Sequence, residues 1–172
     1  LVGNIYAQTY VNAAPTTGLL HQYNGVFNGA GATFCDLDND GFDDIIFPSS
    51  ENERIKIFRN NNGQFMEVSL ALNILDMLES KTVLVVDIDN DGDRDLFISN
   101  LTGVNRLYRN NGSIFEDITA NCGILLNDSL HSTAAMFFDY NRDGLLDLYA
   151  GVYSGFGNNI NYYNRLYKNV GN

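Results

Sequence analysis

The sequence predicts an all-β protein of three four-stranded antiparallel units of the propeller-blade type, with its N-terminal strand out of phase and its third unit lacking the outer strand. Three observations predict it. An acidic loop of fixed spacing recurs from Asp36, Asp87 and Asp139, in steps of 51 and 52 residues. A second element recurs in phase, reading I-F-R-N-N-N-G-Q-F at 57–65, L-Y-R-N-N-G-S-I-F at 107–115 and L-Y-K-N-V-G-N at 166–172. The composition, with 10 Tyr, 11 Phe, 16 Gly and no Trp, suits turn-rich β structure. Four short apolar segments within a period of about 50 residues are the signature of a blade.

The elements follow in order within each unit. Strand A is apolar and runs into the acidic loop, at 32–37, 83–88 and 134–140. Strand B leaves the loop, at 44–47, 95–99 and 147–152. Strand C carries a cation and an aromatic, at 54–59, 106–109 and 165–168, and an Asn-Gly type turn follows it, a strong hairpin signal. Strand D comes next, at 64–68 and 114–119. Between units, Leu70, Ile74, Leu75 and Leu78 have helical spacing, so 70–80 reads as a short helical turn linking two blades. The units divide as 19–70, 71–120 and 121–172, with an orphan strand D and linker over 1–18.

The phase is informative. Gly3-Asn4-Ile5-Tyr6 resembles the start of strand D at Gly63-Gln64-Phe65-Met66 and Gly112-Ser113-Ile114-Phe115, and Val2-Gly3-Asn4 recurs as Val170-Gly171-Asn172. Propellers close with about 4–8 blades, so three are too few to close alone. The expected partners are therefore further blades of a longer chain, or other copies whose N-terminal strand completes the third blade by donation. The chain opens on Leu1 rather than Met, which reads as a processed product or a piece of something longer.

The formal charge is −11, yet 13 of the 21 acids fall within 36–44, 87–95 and 139–147. Acidity this local points to cations. No basic face exists to hold nucleic acid. No apolar run is long enough to span a membrane, and no signal peptide is visible.

Each acidic loop fits D-x-[DN]-x-D-G-x-x-D. A hard cation such as Ca²⁺ takes six to eight oxygen ligands, and side chains at positions 1, 3 and 5 converge if the backbone curls around the ion. Gly41, Gly92 and Gly144 at position 6 permit the curl, and an acid at position 9 closes the site as the next strand starts. The first site takes Asp36, Asp38, Asp40 and Asp44, the second Asp87, Asp89, Asp91 and Asp95, and the third Asp139, Asn141, Asp143 and Asp147. The main-chain carbonyls of Phe42, Asp93 and Leu145 at position 7 are further ligands. Up to three Ca²⁺ are expected, the third site being weakest because Asn141 replaces an acid. An EF-hand would need Glu at position 12, where Phe47, Ile98 and Ala150 stand. Zinc is disfavoured because the loops hold no Cys or His. Without metal the clustered carboxylates repel, so folding is expected to couple to calcium.

These loops, each after a short apolar strand and followed by N-R-L-Y-[RK]-N and F-x-D-[IV]-T, resemble FG-GAP/VCBS repeats of the integrin-α type. The resemblance implies calcium in the turn between strands A and B of each blade, blades of a seven-bladed propeller, and a secreted or cell-surface setting. It also implies adhesion, carbohydrate or protein binding, or structural display. The chain departs from the pattern in its blade count and at Asn141.

Other features carry less. His21 and His131 precede A strands, pair with no nucleophile and read as ordinary loop histidines. Gly29-Ala30-Gly31 lacks the third glycine and helix of a dinucleotide fingerprint. Cys35 and Cys122 fit either two buried thiols or a single bridge. Sequons at Asn100, Asn111 and Asn127 permit glycosylation without indicating it. The long loop 153–163 mixes aromatics with Asn and Gly, so Tyr153, Phe156, Tyr162 and Tyr163 could stack on a sugar or a protein surface, or simply pack.

The leading functional expectation is a calcium-binding extracellular structural or adhesive module, not an enzyme. The alternatives are a carbohydrate-binding module and a non-catalytic part of a larger secreted enzyme.

Overall fold

A computed structural model describes residues 9–24, 31–101, 103–124, 131–153 and 163–171. Among the described residues the chain is all-β apart from one short helix, α1 (Ala14–Thr17), which the sequence reading did not anticipate. Pro15 at its start and Gly18 at its end, with φ 79°, set its limits.

Among the described residues, eleven strands form three antiparallel sheets. The first holds β1 (Thr33–Cys35), β2 (Asp44–Phe47), β3 (Lys56–Asn61) and β4 (Gln64–Glu67) in sequence order. The second holds β5 (Ser80–Val86), β6 (Asp95–Asn100), β7 (Arg106–Asn110) and β8 (Phe115–Asp117). The third holds β9 (His131–Phe138), β10 (Asp147–Tyr153) and β11 (Arg165–Tyr167). The sequence-predicted strands A to D are thus present, with strand D of the third unit not among the described residues. The predicted orphan strand at 1–8 lies outside them.

Strand boundaries differ from the sequence reading in one consistent way. The first strands stop at Cys35, Val86 and Phe138, one residue before each loop Asp, rather than running past it. The Asp carboxylates draw the following backbone N–H groups inward, and that curl is incompatible with a sheet ladder. The linker helix predicted for 70–80 is reduced to a single turn. Leu72 N–H donates to the Val68 carbonyl at 3.0 Å and Asn73 N–H to the Leu70 carbonyl at 3.1 Å. Beyond it 75–79 hold no helix, and β5 begins at Ser80.

Period-2 alternation places one face of each sheet against its neighbour. Ile46 and Ile57 from the first sheet, with Leu72 and Ile74 from the connection after it, meet Val83, Leu96, Ile98, Tyr108 and Phe115 from the second sheet. Phe97 and Leu107 from the second sheet, with Ile124 from the chain after it, meet Leu148 from the third sheet, with Phe137 and Tyr167 packed against them. The first strands of successive sheets lie side by side. Thr33 Oγ1 donates to the Val83 carbonyl at 2.5 Å, and Thr82 Oγ1 to the Thr133 carbonyl at 3.3 Å.

Residues 9–24 cross the opposite face of the first sheet. His21 stacks on Phe47 with ring centroids 4.3 Å apart. Tyr23 reaches the start of the second sheet, its hydroxyl donating to Glu79 Oε1 at 3.1 Å and accepting from Lys81 Nζ at 2.8 Å. Among the described residues no helix is long and apolar enough to cross a membrane.

Candidate functional site

The three acidic loops fold alike, and their hydrogen bonds show why the spacing is fixed. At position 1, one carboxylate oxygen accepts the N–H of position 5 and the other accepts that of position 6. For Asp36 the distances are 3.0 Å to Asp40 and 2.9 Å to Gly41. For Asp87 they are 3.2 Å to Asp91 and 3.1 Å to Gly92. For Asp139 they are 3.1 Å to Asp143 and 2.9 Å to Gly144. Position 5 then accepts the N–H of position 7, from Phe42 and Asp93 at 2.9 Å and from Leu145 at 3.1 Å.

Two left-handed residues curl the loop. Glycine at position 6 is one of them, with φ 92°, 94° and 86° at Gly41, Gly92 and Gly144. Position 4 is the other, and sequence reasoning missed it. Asn39, Asn90 and Arg142 have φ 60°, 61° and 62°. Asparagine tolerates this conformation, and arginine adopts it only at a cost. The repeated D-N-D-G was the available signal.

Position 9 does more than close the loop. Asp44, Asp95 and Asp147 are almost wholly buried. One oxygen of each accepts the N–H of position 2, from Leu37 at 3.1 Å, Ile88 at 2.9 Å and Tyr140 at 3.2 Å. The other accepts the N–H of Asn60 at 2.9 Å, and of Asn110 and Asn169 at 2.8 Å, on the third strand or just past its end. These three asparagines, missed as site residues, sit in the R/K-N step of the second repeated element. Their side-chain amides return to the loops, at Asp43, Arg94 and Leu146.

The carboxylates gather enough for a metal. In the first loop Asp36, Asp38 and Asp40 bring oxygens within 4.8 Å of one another, and in the second Asp87, Asp89 and Asp95 do so. In the third, Asn141 Nδ2 donates to Asp143 Oδ2 at 2.8 Å, a contact an aspartate could not make. That donated bond comes first among the causes holding the Asp143 carboxyl below its usual range. Cations on the third strand or just past it lean on two of the loops, Arg59 Nε 3.1 Å from Asp38 and Lys168 Nζ 3.3 Å from Asp143.

Electrostatics point the same way. Burial pushes the Asp95 carboxyl up to about 6, against the two N–H bonds it accepts and helped by the charges of Asp89 and Asp91. Burial likewise raises Asp44. Asp89 Oδ1 is shielded from solvent and accepts no hydrogen bond. A shielded, unpartnered carboxylate oxygen is costly unless something positive meets it. An all-oxygen donor set fits a hard divalent ion, so the residues present fit calcium.

The remaining candidates divide. Tyr153 lies on β10, where it pairs with His131. Phe156 and Tyr162 lie outside the described residues, and Tyr163 is 78% exposed. Cys35 and Cys122 are both free thiols, so the structure takes the unbridged of the two readings. They pack in different clusters, one on each side of the second sheet. Burial pushes the Cys35 thiol up to about 11 and also raises Cys122. Asn100 is fully buried, its amide nitrogen donating to the Val104 carbonyl at 2.6 Å, so the folded protein presents no free amide there. Asn111 is exposed, and Asn127 lies outside the described residues.

Comparison with known proteins agrees with this geometry. Human cartilage acidic protein 1 is 27% identical over 153 residues, covering 81% of this chain. The match spans 22% of that relative's length, so the chain corresponds to about a fifth of it. The family model for the FG-GAP-like repeat matches twice, over residues 36–98 and 87–150, each match running from the first Asp of one loop to the strand beyond the next. Together the two matches take in most of the sequence, and the chain belongs to the FG-GAP-like repeat family.

Proposed function

We propose that this chain is a calcium-binding structural module of the extracellular type, whose three sheets are blades of a propeller. The observation that carries the reading is the shielded, unpartnered Asp89 Oδ1 within a loop whose hydrogen-bond pattern recurs three times. Asp36, Asp38, Asp40 and Asp44 hold the first ion, and Asp87, Asp89, Asp91 and Asp95 the second. Asp139, Asn141, Asp143 and Asp147 hold the third, with position-7 carbonyls completing each shell. Calcium supplies charge neutralisation, and the chain's own residues supply the cage. Bound there, the ion would pin the turn between the first two strands of a blade to the third, through the position-9 carboxylate.

Side-by-side first strands and face-to-face sheets support the blade reading. Further blades or other copies complete the assembly by adding a strand to β11. Membership of the FG-GAP-like repeat family and the likeness to a cartilage protein support an extracellular setting and an adhesive or display role. The carboxylates are committed to the ion, so the module is non-catalytic.

Thermal unfolding in millimolar calcium, in magnesium and with chelator tests the reading. Calcium should raise the midpoint by about 10 °C, on the order of 2.5–5 kcal/mol for a domain of this size, and magnesium by much less. Equal midpoints in all three would sink it.

A further inference from the structure

Arg59, Arg109 and Lys168 stand at one place in the repeat. Each directly precedes the asparagine whose N–H meets the position-9 carboxylate. Two of the three turn to their own loop. Arg59 Nε lies 3.1 Å from Asp38 Oδ2, and Lys168 Nζ lies 3.3 Å from Asp143 Oδ2. Arg59 Nε makes no hydrogen bond, so it meets Asp38 through charge alone.

Arg109 turns the other way. Its Nη2 donates to Glu116 Oε2 at 2.9 Å. Asp89, which stands in the second loop where Asp38 stands in the first, keeps an oxygen that is shielded and accepts no hydrogen bond. The cross-strand neighbour accounts for the difference. Arg59 of β3 is paired with Met66 of β4, which offers no charge, whereas Arg109 of β7 is paired with Glu116 of β8. Opposite charges directly across a strand pair attract.

The consequence is electrostatic. A cation beside a ligand carboxylate neutralises charge that a divalent ion needs, and repels the ion as it arrives. An ion filling the first loop must displace Arg59 from Asp38, and one filling the third must displace Lys168 from Asp143. Both pairs are partly open to solvent, and such pairs are weak enough to separate.

We propose that this cation is a tethered competitor for the metal ion, and that Glu116, by holding Arg109 away from Asp89, makes the second loop the first to fill. Arg59 and Lys168 set the later, weaker steps, so the loops load in sequence as calcium rises rather than together. Glu116 is a positioning residue, acting on the site through Arg109. The proposal rests on the calcium reading of the loops and adds to it the order of filling and the residue that sets it.

Calcium titration of the full chain, followed by NMR at the amides of Gly41, Gly92 and Gly144, reads the loops separately, since each amide donates to the position-1 carboxylate of its own loop. Gly92 should respond at the lowest calcium concentration. Arg59→Gln should tighten the first loop roughly threefold to tenfold. Lys56→Gln, an equal charge change on the same strand at a residue paired with Glu67, should change it by less than about twofold. Glu116→Met should weaken the second loop, and adding Arg109→Gln should restore it. In chelator, Asp38→Asn should move the Arg59 Nε–H signal, and Asp89→Asn should leave that of Arg109 in place. Equal effects of Arg59→Gln and Lys56→Gln, an unaltered second loop in Glu116→Met, or Gly92 responding after Gly41 would overturn the proposal and leave the calcium reading standing. Glycine signals that calcium does not shift at up to about 10 mM would overturn the calcium reading and the filling order together, even with both arginines paired as described.

Discussion

Asn110 donates its backbone N–H to Asp95 Oδ1 at 2.8 Å, tying the loop between β5 and β6 to the end of β7. The other oxygen of Asp95 holds Ile88 N–H at 2.9 Å. One buried carboxylate thus fastens two chain segments whether or not an ion is present. Asp95→Ala leaves both donors without a partner and should destabilise the calcium-free protein by about 2–4 kcal/mol. Asp95→Asn keeps one oxygen acceptor and should cost less. Urea denaturation in chelator gives both values, and equal costs would contradict the account.

The same residue sets a pH dependence with an uncommon sign. Its folded pKa, about 6, lies above that of an unfolded aspartate. The folded state therefore binds the extra proton, and Asp95's contribution is most favourable below about pH 4. It is lost as pH rises through about 6 and stays lost above. The buried charge then costs on the order of 3 kcal/mol, which an ion would offset. Calcium-free protein should gain stability from this group between pH 7 and pH 5, and calcium affinity at the second loop should fall over the same interval. Calcium titrations at both pH values, on wild type and Asp95→Asn, check this. An unchanged affinity would contradict it.

The third loop carries two weaknesses, each reversible by one substitution. Arg142 sits at φ 62°, where Asn39 and Asn90 stand in the other loops. Arg142→Asn should stabilise the fold by about 1 kcal/mol, measured in chelator. Asn141→Asp removes the amide that occupies Asp143 and adds a carboxylate, so the third calcium should bind roughly tenfold tighter, about 1.4 kcal/mol. Unchanged affinity would show that Asn141 is not a ligand.

Phe115 is 1% exposed and joins the first two sheets. Phe115→Ala should destabilise by about 3–5 kcal/mol, as expected for a buried aromatic in a packed cluster. Denaturation in saturating calcium is the check, and a cost under about 1 kcal/mol would mean that the cluster is not the joint between blades.

If the chain is secreted from a glycosylating host, Asn111 is open to modification and Asn100 is closed, since its amide is buried and donates to Val104. Peptide mapping of folded material should find no glycan on Asn100.

The sheets are legible in the sequence because the repeat marks their strands. Asp loops at fixed spacing fix where strands A and B meet, and Asn-Gly turns fix where C and D meet. The shape of the acidic loops is legible for the same reason, because positions 1, 5, 6 and 9 are constrained by the hydrogen bonds and the left-handed turn they make. Position 4 is less legible, since Arg142 hides a left-handed residue that Asn39 and Asn90 reveal only in comparison. Asn60, Asn110 and Asn169 meet the position-9 carboxylates through backbone N–H groups, which no residue type advertises, while their side chains bond the loop carbonyls and the turn glycines. The helix Ala14–Thr17 has one turn, too short for periodicity to mark. The helical spacing at 70–80 misleads because Leu70 and Leu75 are exposed, whereas Leu72 and Ile74, two residues apart, are the ones that pack between sheets.

The central claim is that all three loops hold calcium, and isothermal titration of the full chain with calcium at pH 7.5 tests it most directly. The account predicts three ions per chain with dissociation constants of about 10⁻⁴–10⁻³ M, the weakest lost on Asp139→Ala. No saturable binding up to about 10 mM, or binding that survives alanine at Asp36, Asp87 and Asp139 together, would contradict it.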